Sequence, residues 1–254
     1  TMDSDLTQWE LDMTHAKTLF ITGVSSGFGH ALAKEAIANG HRVIGTVRNE
    51  TDLKNFQALS PDNAYGVVLD VTDFERIDSV VAQVEATHGP VDVLVNNAGL
   101  GGTAQLHEMT DEQWSVVLDV TLNGTMRCTR AALNHMYPRG TGVIVNNASV
   151  LGWRAQEGQA HYAAAKAGVM ALTRCAAIEA GPRGVRINAV SPSIAMHANL
   201  AKVTSDDLLA ELTQREAFGR FAEPWEIANV IVFLASDYSS YMTGEVLSVS
   251  SQRA

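Results

Sequence analysis

The most restrictive feature of this sequence is a short apolar strand followed by a glycine-rich turn and a helix. It limits the folds that the chain can adopt more than any other feature. The strand covers residues 18–21, the turn covers 22–29, and a helical pattern continues to Gly40. Glycines let the backbone approach a pyrophosphate closely, and the helix N-terminus offers unpaired N–H groups with a favourable dipole. The order therefore predicts a dinucleotide site, although a tight turn without a ligand would have the same sequence. The residues expected to contact the ligand here are Gly23, Ser25, Ser26, Gly27, Phe28 and Gly29.

Strand-like and helical segments alternate along the rest of the chain. The further strand-like segments are 42–48, 64–69, 91–95, 143–145, 186–190 and 245–249. Capping-box patterns at Thr72 and Thr110 predict two of the helix starts. The 254 residues are 46% hydrophobic, enough to fill one sizeable core. We predict a single α/β domain over 17–254, with a doubly wound, parallel, seven-stranded Rossmann-type sheet covered by helices on both faces.

Charge and composition argue against several classes of partner. A net charge of −10 disfavours nucleic acid and anionic membranes as partners. No apolar run approaches the roughly 18 residues of a membrane span. Cys128 and Cys175 have no metal or redox spacing, and we expect buried or half-buried free thiols in a reducing, cytoplasmic compartment.

Residues 1–16 are acidic and lack the features of a secretory signal, so we interpret them as a mobile leader or a cloning remnant.

The residue after the second strand bears on cofactor choice. An acidic residue there would bind the ribose 2′-hydroxyl of NAD. This chain instead has Arg48, with no carboxylate before Glu50. A guanidinium suits a 2′-phosphate, so the sequence favours NADP, with NAD as the second possibility. Arg48 could also be a surface residue that stacks on adenine.

Other strand ends supply further candidate cofactor contacts. Asp70 could accept a hydrogen bond from an adenine amino group, or it could be an ordinary loop carboxylate. Small or amide-bearing residues after the fourth and sixth strands would let a ribose and a nicotinamide approach closely. The candidates at these ends are Asp70, Val71, Asn97, Ala98, Gly99, Pro192, Ser193 and Ile194.

A serine, a tyrosine and a lysine near the fifth strand suggest proton chemistry. Tyr162 and Lys166 are four residues apart, so a helix places them on one face. An ammonium beside a phenol favours phenolate and would lower the tyrosine pKa. Ser149, at the end of the strand, could hydrogen-bond the same substrate oxygen. Asn123 lies inside a predicted helix, where an amide could disturb the helix and hold a water, or simply face solvent.

Together these motifs resemble the short-chain dehydrogenase/reductase family over about residues 17–250. The cofactor turn matches at Thr22, Gly23, Gly27 and Gly29, and an Asn-Asn-Ala-Gly motif matches at 96–99. The resemblance implies Ser149, Tyr162, Lys166 and Asn123 as catalytic residues, with Tyr162 and Lys166 also contacting the nicotinamide ribose. It further implies hydride transfer between a nicotinamide and a carbonyl or secondary alcohol, and a homotetramer or homodimer.

The chain departs from the family pattern at two places. Pro192 is followed by Ser193 where the family usually has glycine, and the C-terminal residues lack the usual double glycine. The half from about Gly99 onward is similar to actinobacterial reductases of acyl-CoA intermediates in steroid-ring breakdown, while the first half is more similar to ordinary NADP-dependent members. We therefore expect a 3-oxoacyl thioester or a ring ketone as substrate, under a lid near 195–220.

An alternative interpretation is a dinucleotide-binding sensor or scaffold that catalyses nothing. Four intact candidate catalytic residues argue against it, since a silent protein has no physical need for all of them. We expect no metal site, because no cluster of ligand residues has suitable spacing.

Overall fold

A computed structural model describes residues 16–195 and 206–252. All but one residue of the predicted leader, and residues 196–205 of the predicted lid, lie outside these ranges. The described chain forms one seven-stranded, wholly parallel sheet in the order β3-β2-β1-β4-β5-β6-β7. The strands are β1 (Thr18–Ile21), β2 (Arg42–Val47), β3 (Ala64–Val68), β4 (Val93–Asn96), β5 (Gly142–Asn147), β6 (Val185–Pro192) and β7 (Val246–Val249). The predicted fold class is confirmed.

Helices connect the strands and cover both faces of the sheet. They are α1 (Gly27–Ala38), α2 (Glu50–Gln57), α3 (Phe74–His88), α4 (Asp111–Leu118), α5 (Gly124–Arg139), α6 (Ala160–Ala180), α7 (Asp206–Gln214) and α8 (Pro224–Ala235). One π-helical turn, Asp119–Asn123, joins α4 to α5, so the two form a single long helix with a wider turn in its middle. Such a turn is common at functional sites.

Side-chain alternation along the strands divides the interior into two cores. Leu19 and Ile21 of β1 pack with α1 and α8, whereas Phe20 between them packs with α3, α5 and the end of α6. The same alternation recurs in β4 and β5, whose residues are buried on both faces. A parallel strand covered on both faces is almost wholly apolar until its carboxyl end, where polar residues appear.

Some local predictions are wrong. Thr72 does not cap α3; its N–H and hydroxyl both bond to the Asp70 carboxyl, and the helix begins two residues later. The capping box at Thr110 is present. Cys128 is buried as expected, but Cys175 is exposed because it lies on the outer face of α6. In the described part of the predicted lid, 206–220, the structure contains the continuous helix α7.

Candidate active site

The N-terminus of α1 opens at the carboxyl edge of the sheet, where the strands end. Ser26 is the N-cap in extended conformation, and its side chain makes no capping hydrogen bond to this helix, whose first turn carries no acidic residue. Gly23 and Gly27 have φ values of +73° and +60°, which favour glycine. A Cβ at Gly29 would collide with the Gly23 carbonyl and the Asn97 amide. The helix N-terminus and the close-packed glycine turn fit a dinucleotide pyrophosphate.

A ladder of asparagines joins this turn to the strands that carry the candidate catalytic residues. The Asn97 amide donates to the Gly23 carbonyl at 2.9 Å and accepts from the Asn147 amide at 3.2 Å. One residue earlier on each strand, Asn96 donates to the Asn146 side chain at 2.9 Å. β4 and β5 pair Asn96 with Asn146 in register, so each rung follows directly from strand pairing. The ladder fixes the cofactor turn relative to the end of β5.

Lys166 lies at the inner end of this ladder. Its side chain is buried, and its ammonium donates to the Asn147 carbonyl at 2.5 Å. Burial lowers the lysine pKa to about 8. A Cβ at Gly99 would lie 3.5 Å from the lysine nitrogen, so the absence of a side chain there leaves room beside the ammonium.

Tyr162 and Ser149 meet beside that lysine. The Lys166 nitrogen lies 5.6 Å from the centre of the tyrosine ring. Burial raises the pKa of Tyr162 above its ordinary value, while a hydrogen bond with Ser149 acts in the opposite direction. The sequence-based expectation of a lowered tyrosine pKa is therefore wrong, because loss of solvent outweighs the hydrogen bond with Ser149. The phenol keeps its proton at neutral pH.

Asn123 is the last residue of the π-helical turn. Its amide donates to the Asp119 carboxyl at 3.1 Å, and the side chain is half-buried. The expectation that this residue coincides with a disturbed helix agrees with the wider turn. Thr121, in the same turn, bonds to both the N–H and the carbonyl of Leu100, which ties the turn to the loop after β4.

The remaining predicted cofactor contacts lie along the same edge. Arg48 is exposed directly after β2. Burial alone would raise the pKa of Asp70, but hydrogen bonds from Thr72 and the nearby Arg48 charge bring it below its usual value. Val71 is buried, and Ala98 contacts the cofactor turn beside Gly23. Pro192 ends β6, and the segment that follows is held by backbone bonds from Ser193 to Val249 and from Ala222 to Ile194.

Sequence reasoning missed two buried polar residues at this edge. His161, next to Tyr162, is buried with its Nδ1 atom unpartnered among the described residues. Glu216 is buried although it follows α7 in a segment rich in charged residues. The position of His161 next to Tyr162 in the sequence could have identified it as a candidate site residue. Nothing in the local sequence distinguishes Glu216 from its exposed neighbours.

No helix in residues 16–195 and 206–252 is both long and apolar enough to span a bilayer. Nor do three or more histidine, cysteine, aspartate or glutamate side chains in these ranges come together in a way that could hold a metal ion.

Comparisons with known proteins agree with this geometry. A family model described as Enoyl-(Acyl carrier protein) reductase matches residues 23–251. The chain is 55% identical, over 93% of its length and 92% of the relative, to the (5R,7aS)-5-hydroxy-7a-methyl-1-oxo-2,3,5,6,7,7a-hexahydro-1H-indene-carboxyl-CoA reductase of Mycobacterium tuberculosis. It is 37% identical to the 3-oxoacyl-[acyl-carrier-protein] reductase FabG of Escherichia coli, over 92% of this chain and 96% of that one.

A solved structure is also similar to this chain over most of its length. The crystal structure of a short chain dehydrogenase from Mycobacterium smegmatis superposes with a TM-score of 0.83 at 51% identity, covering 96% of this chain and 95% of that one. The similarity to the mycobacterial CoA reductase extends through both halves of the chain and is not confined to the second half. The chain belongs to the short-chain dehydrogenase/reductase family of NAD(P)-dependent oxidoreductases.

Proposed function

We propose that this protein is an NADPH-dependent ketoreductase and that Ser149, Tyr162 and Lys166 carry the proton chemistry. The observation that supports this most directly is the convergence of the three side chains beside the glycine turn. Ser149 hydrogen-bonds the phenol, and the buried ammonium lies 5.6 Å from its ring. A bound nicotinamide dinucleotide supplies the hydride in this chemistry.

Tyr162 acts as the general acid. Its raised pKa keeps the phenol protonated at neutral pH, so the proton is available for the oxygen of a ketone as that oxygen gains charge. Ser149 orients and polarises the same oxygen by donating its hydroxyl proton. In the reverse direction Tyr162 would accept the proton from a secondary alcohol.

Lys166 and Asn123 support the proton transfer. The lysine pKa of about 8 leaves the ammonium mostly charged at pH 7, where it stabilises the phenolate that remains after the proton has left. Lys166 also binds the nicotinamide ribose in this proposal. Asn123 holds a water that returns a proton to Tyr162 by way of Lys166.

The α1 N-terminus and the neighbouring strand ends hold the cofactor. Gly23 and residues 25–29 would hold the pyrophosphate, residues 97–99 would hold the ribose, and residues 192–194 would hold the nicotinamide. Asp70 and Val71 would hold the adenine. Arg48 selects NADPH because an exposed guanidinium at the end of β2 can pair with a 2′-phosphate.

The substrate is a ketone carried on a thioester. Both named relatives act on such compounds, one on a CoA thioester with a fused-ring skeleton and one on 3-oxoacyl chains. The greater identity to the CoA reductase favours a ring ketone on CoA. Residues 195–220 cover the substrate in this proposal, and the protein is a cytoplasmic homotetramer or homodimer.

The deciding experiment follows oxidation of NADPH and of NADH against a ring-ketone CoA thioester, a 3-oxoacyl thioester and a simple aldehyde. We expect the fastest turnover with NADPH and a thioester. A preference for NADH would refute the role of Arg48, and turnover of the aldehyde alone would refute the substrate class. Failure of every carbonyl, with NADPH binding shown by fluorescence, would favour the silent sensor.

A further inference from the structure

Glu216 is a buried carboxyl group at the carboxyl edge that the proposed chemistry does not use. Its exposed fraction is 2%. One carboxyl oxygen, Oε2, accepts hydrogen bonds from the Ser193 hydroxyl at 3.2 Å and from the Ser251 hydroxyl at 2.7 Å. Ser193 follows β6, and Ser251 follows β7. One side chain therefore joins the ends of two adjacent strands to the segment after α7.

Backbone contacts place these segments side by side. Glu216 forms an antiparallel bridge with Gln252, and the Ala217 N–H donates to the Ser251 carbonyl at 2.5 Å. The Gln252 side chain in turn accepts from Arg154 at 2.6 Å. Arg154 and Ser149 belong to the same loop, which follows β5, so the cluster around Glu216 reaches the loop that carries a proposed catalytic residue.

The two departures from the family pattern meet in this cluster. Serine replaces the usual glycine at 193, and the C-terminal segment that usually carries a double glycine has Ser250 and Ser251. A glycine at 193 or 251 would have no side-chain hydroxyl to donate to the carboxyl group. A buried carboxyl without donors is costly, so Glu216 and the two serines form one interdependent unit.

We propose that Glu216 is a positioning residue for carbonyl reduction. It holds the segment after β6 and the C-terminal segment in one arrangement, and thereby sets the wall of the site that receives the substrate. Its described hydrogen bonds go to Ser193 and Ser251 and not to the proton-transfer side chains. Loss of the carboxyl group therefore weakens substrate binding more than it slows the chemical step. This inference rests on the proposed function.

The test measures kcat, KM for the best carbonyl and the Kd for NADPH in five variants. Glu216→Ala and the double variant Ser193→Gly/Ser251→Gly should each raise KM about tenfold, as expected for loss of buried hydrogen bonds, while kcat changes by less than about threefold. Glu216→Gln keeps an oxygen that can accept from both hydroxyls and should restore KM to within about threefold of the parent. The matched control is Glu179→Ala, which removes an exposed carboxyl near the end of α6.

The variants also test whether the three residues act as a unit. Adding Glu216→Ala to the double serine variant should raise KM no further, because the interaction has already been removed. The inference is overturned if KM stays at the parental value, if the effects of the serine and glutamate changes add, or if only the melting temperature falls. If Glu216→Ala does not fold, the double serine variant still tests the proposal. A parent protein that reduces no carbonyl would instead refute the proposed function.

Discussion

The two edges of the sheet differ in whether their polar groups have partners within the protein. At the amino edge, where the strands begin, a cavity of about 820 Å³ is lined by charged side chains that have protein partners. Lys17 pairs with Asp237 at 2.8 Å, Asp92 accepts from the Thr18 N–H at 2.8 Å, and Arg186 donates to the carbonyls that end α8. These contacts join the strand starts to the segments that follow α8.

At the carboxyl edge, several buried polar atoms have no hydrogen-bond partner among the described residues. They are Asn96 Oδ1, Asn147 Oδ1, His161 Nδ1, Ser191 Oγ and Glu216 Oε1. Buried polar atoms are nearly always bonded, so a cluster of exceptions calls for a ligand, water or a strained site. The cavity and the unsatisfied groups therefore lie at different edges, and only the unsatisfied groups coincide with the proposed site.

The largest effect should come from Tyr162→Phe at the carboxyl edge. Removing the acidic proton should lower kcat about a thousandfold, within the range of general acid–base contributions. The Kd for NADPH should stay close to the parental value, as measured by fluorescence titration. Tyr238→Phe removes the same atom from an exposed tyrosine near Asp237 and should leave kcat unchanged. Equal rates in the two variants would remove Tyr162 from the mechanism.

A smaller effect should follow from Arg48→Ser. Arg48 lies at the carboxyl end of β2, and its control lies at the amino end of the same strand. Loss of the guanidinium should raise KM for NADPH about thirtyfold, because a charge-assisted contact to the 2′-phosphate is lost. KM for NADH should hardly change. Arg42→Ser is the matched control, since Arg42 begins β2 at the amino edge and donates to the His88 carbonyl. Parallel changes for both cofactors would mean that Arg48 does not read the phosphate.

The buried lysine predicts how reduction depends on pH. Lys166 is charged below its pKa of about 8 and loses its proton above it. If the ammonium stabilises the phenolate, kcat/KM for reduction should be level below pH 8 and fall about tenfold per pH unit above it. Lys166→Arg stays charged over this range and should lack that decline, although its rate is lower. A decline at the same pH in both proteins would assign it to another group.

The fold was predictable because its signals are local and repeat along the chain. β1, β4 and β5 are apolar runs that lead into polar residues, and the turn before α1 places its glycines where positive φ or close packing requires them. The asparagine ladder also follows from sequence, once β4 and β5 are recognised as neighbours with Asn96 opposite Asn146.

What sequence could not give depends on contacts between distant segments. Glu216 is buried because residues 193 and 251 converge on it, and no local sequence pattern predicts that contact. The pKa of Tyr162 was predicted in the wrong direction because spacing reports the neighbouring lysine but not the loss of solvent.

The smallest effect should come from Lys17→Ala at the amino edge. The Lys17 ammonium bonds to Asp237 and to the Ala235 carbonyl at 3.2 Å, but the aspartate side chain is 65% exposed. An ion pair of this kind contributes about 1 kcal/mol or less to the free energy of unfolding, which urea titration can measure. Lys34→Ala, on the exposed face of α1, corrects for loss of an ordinary surface lysine. We expect kcat/KM to stay at the parental value, since no proposed cofactor or substrate contact lies at this edge. A tenfold loss of kcat/KM without loss of stability would show that the amino edge takes part in function and would end the distinction between the two edges.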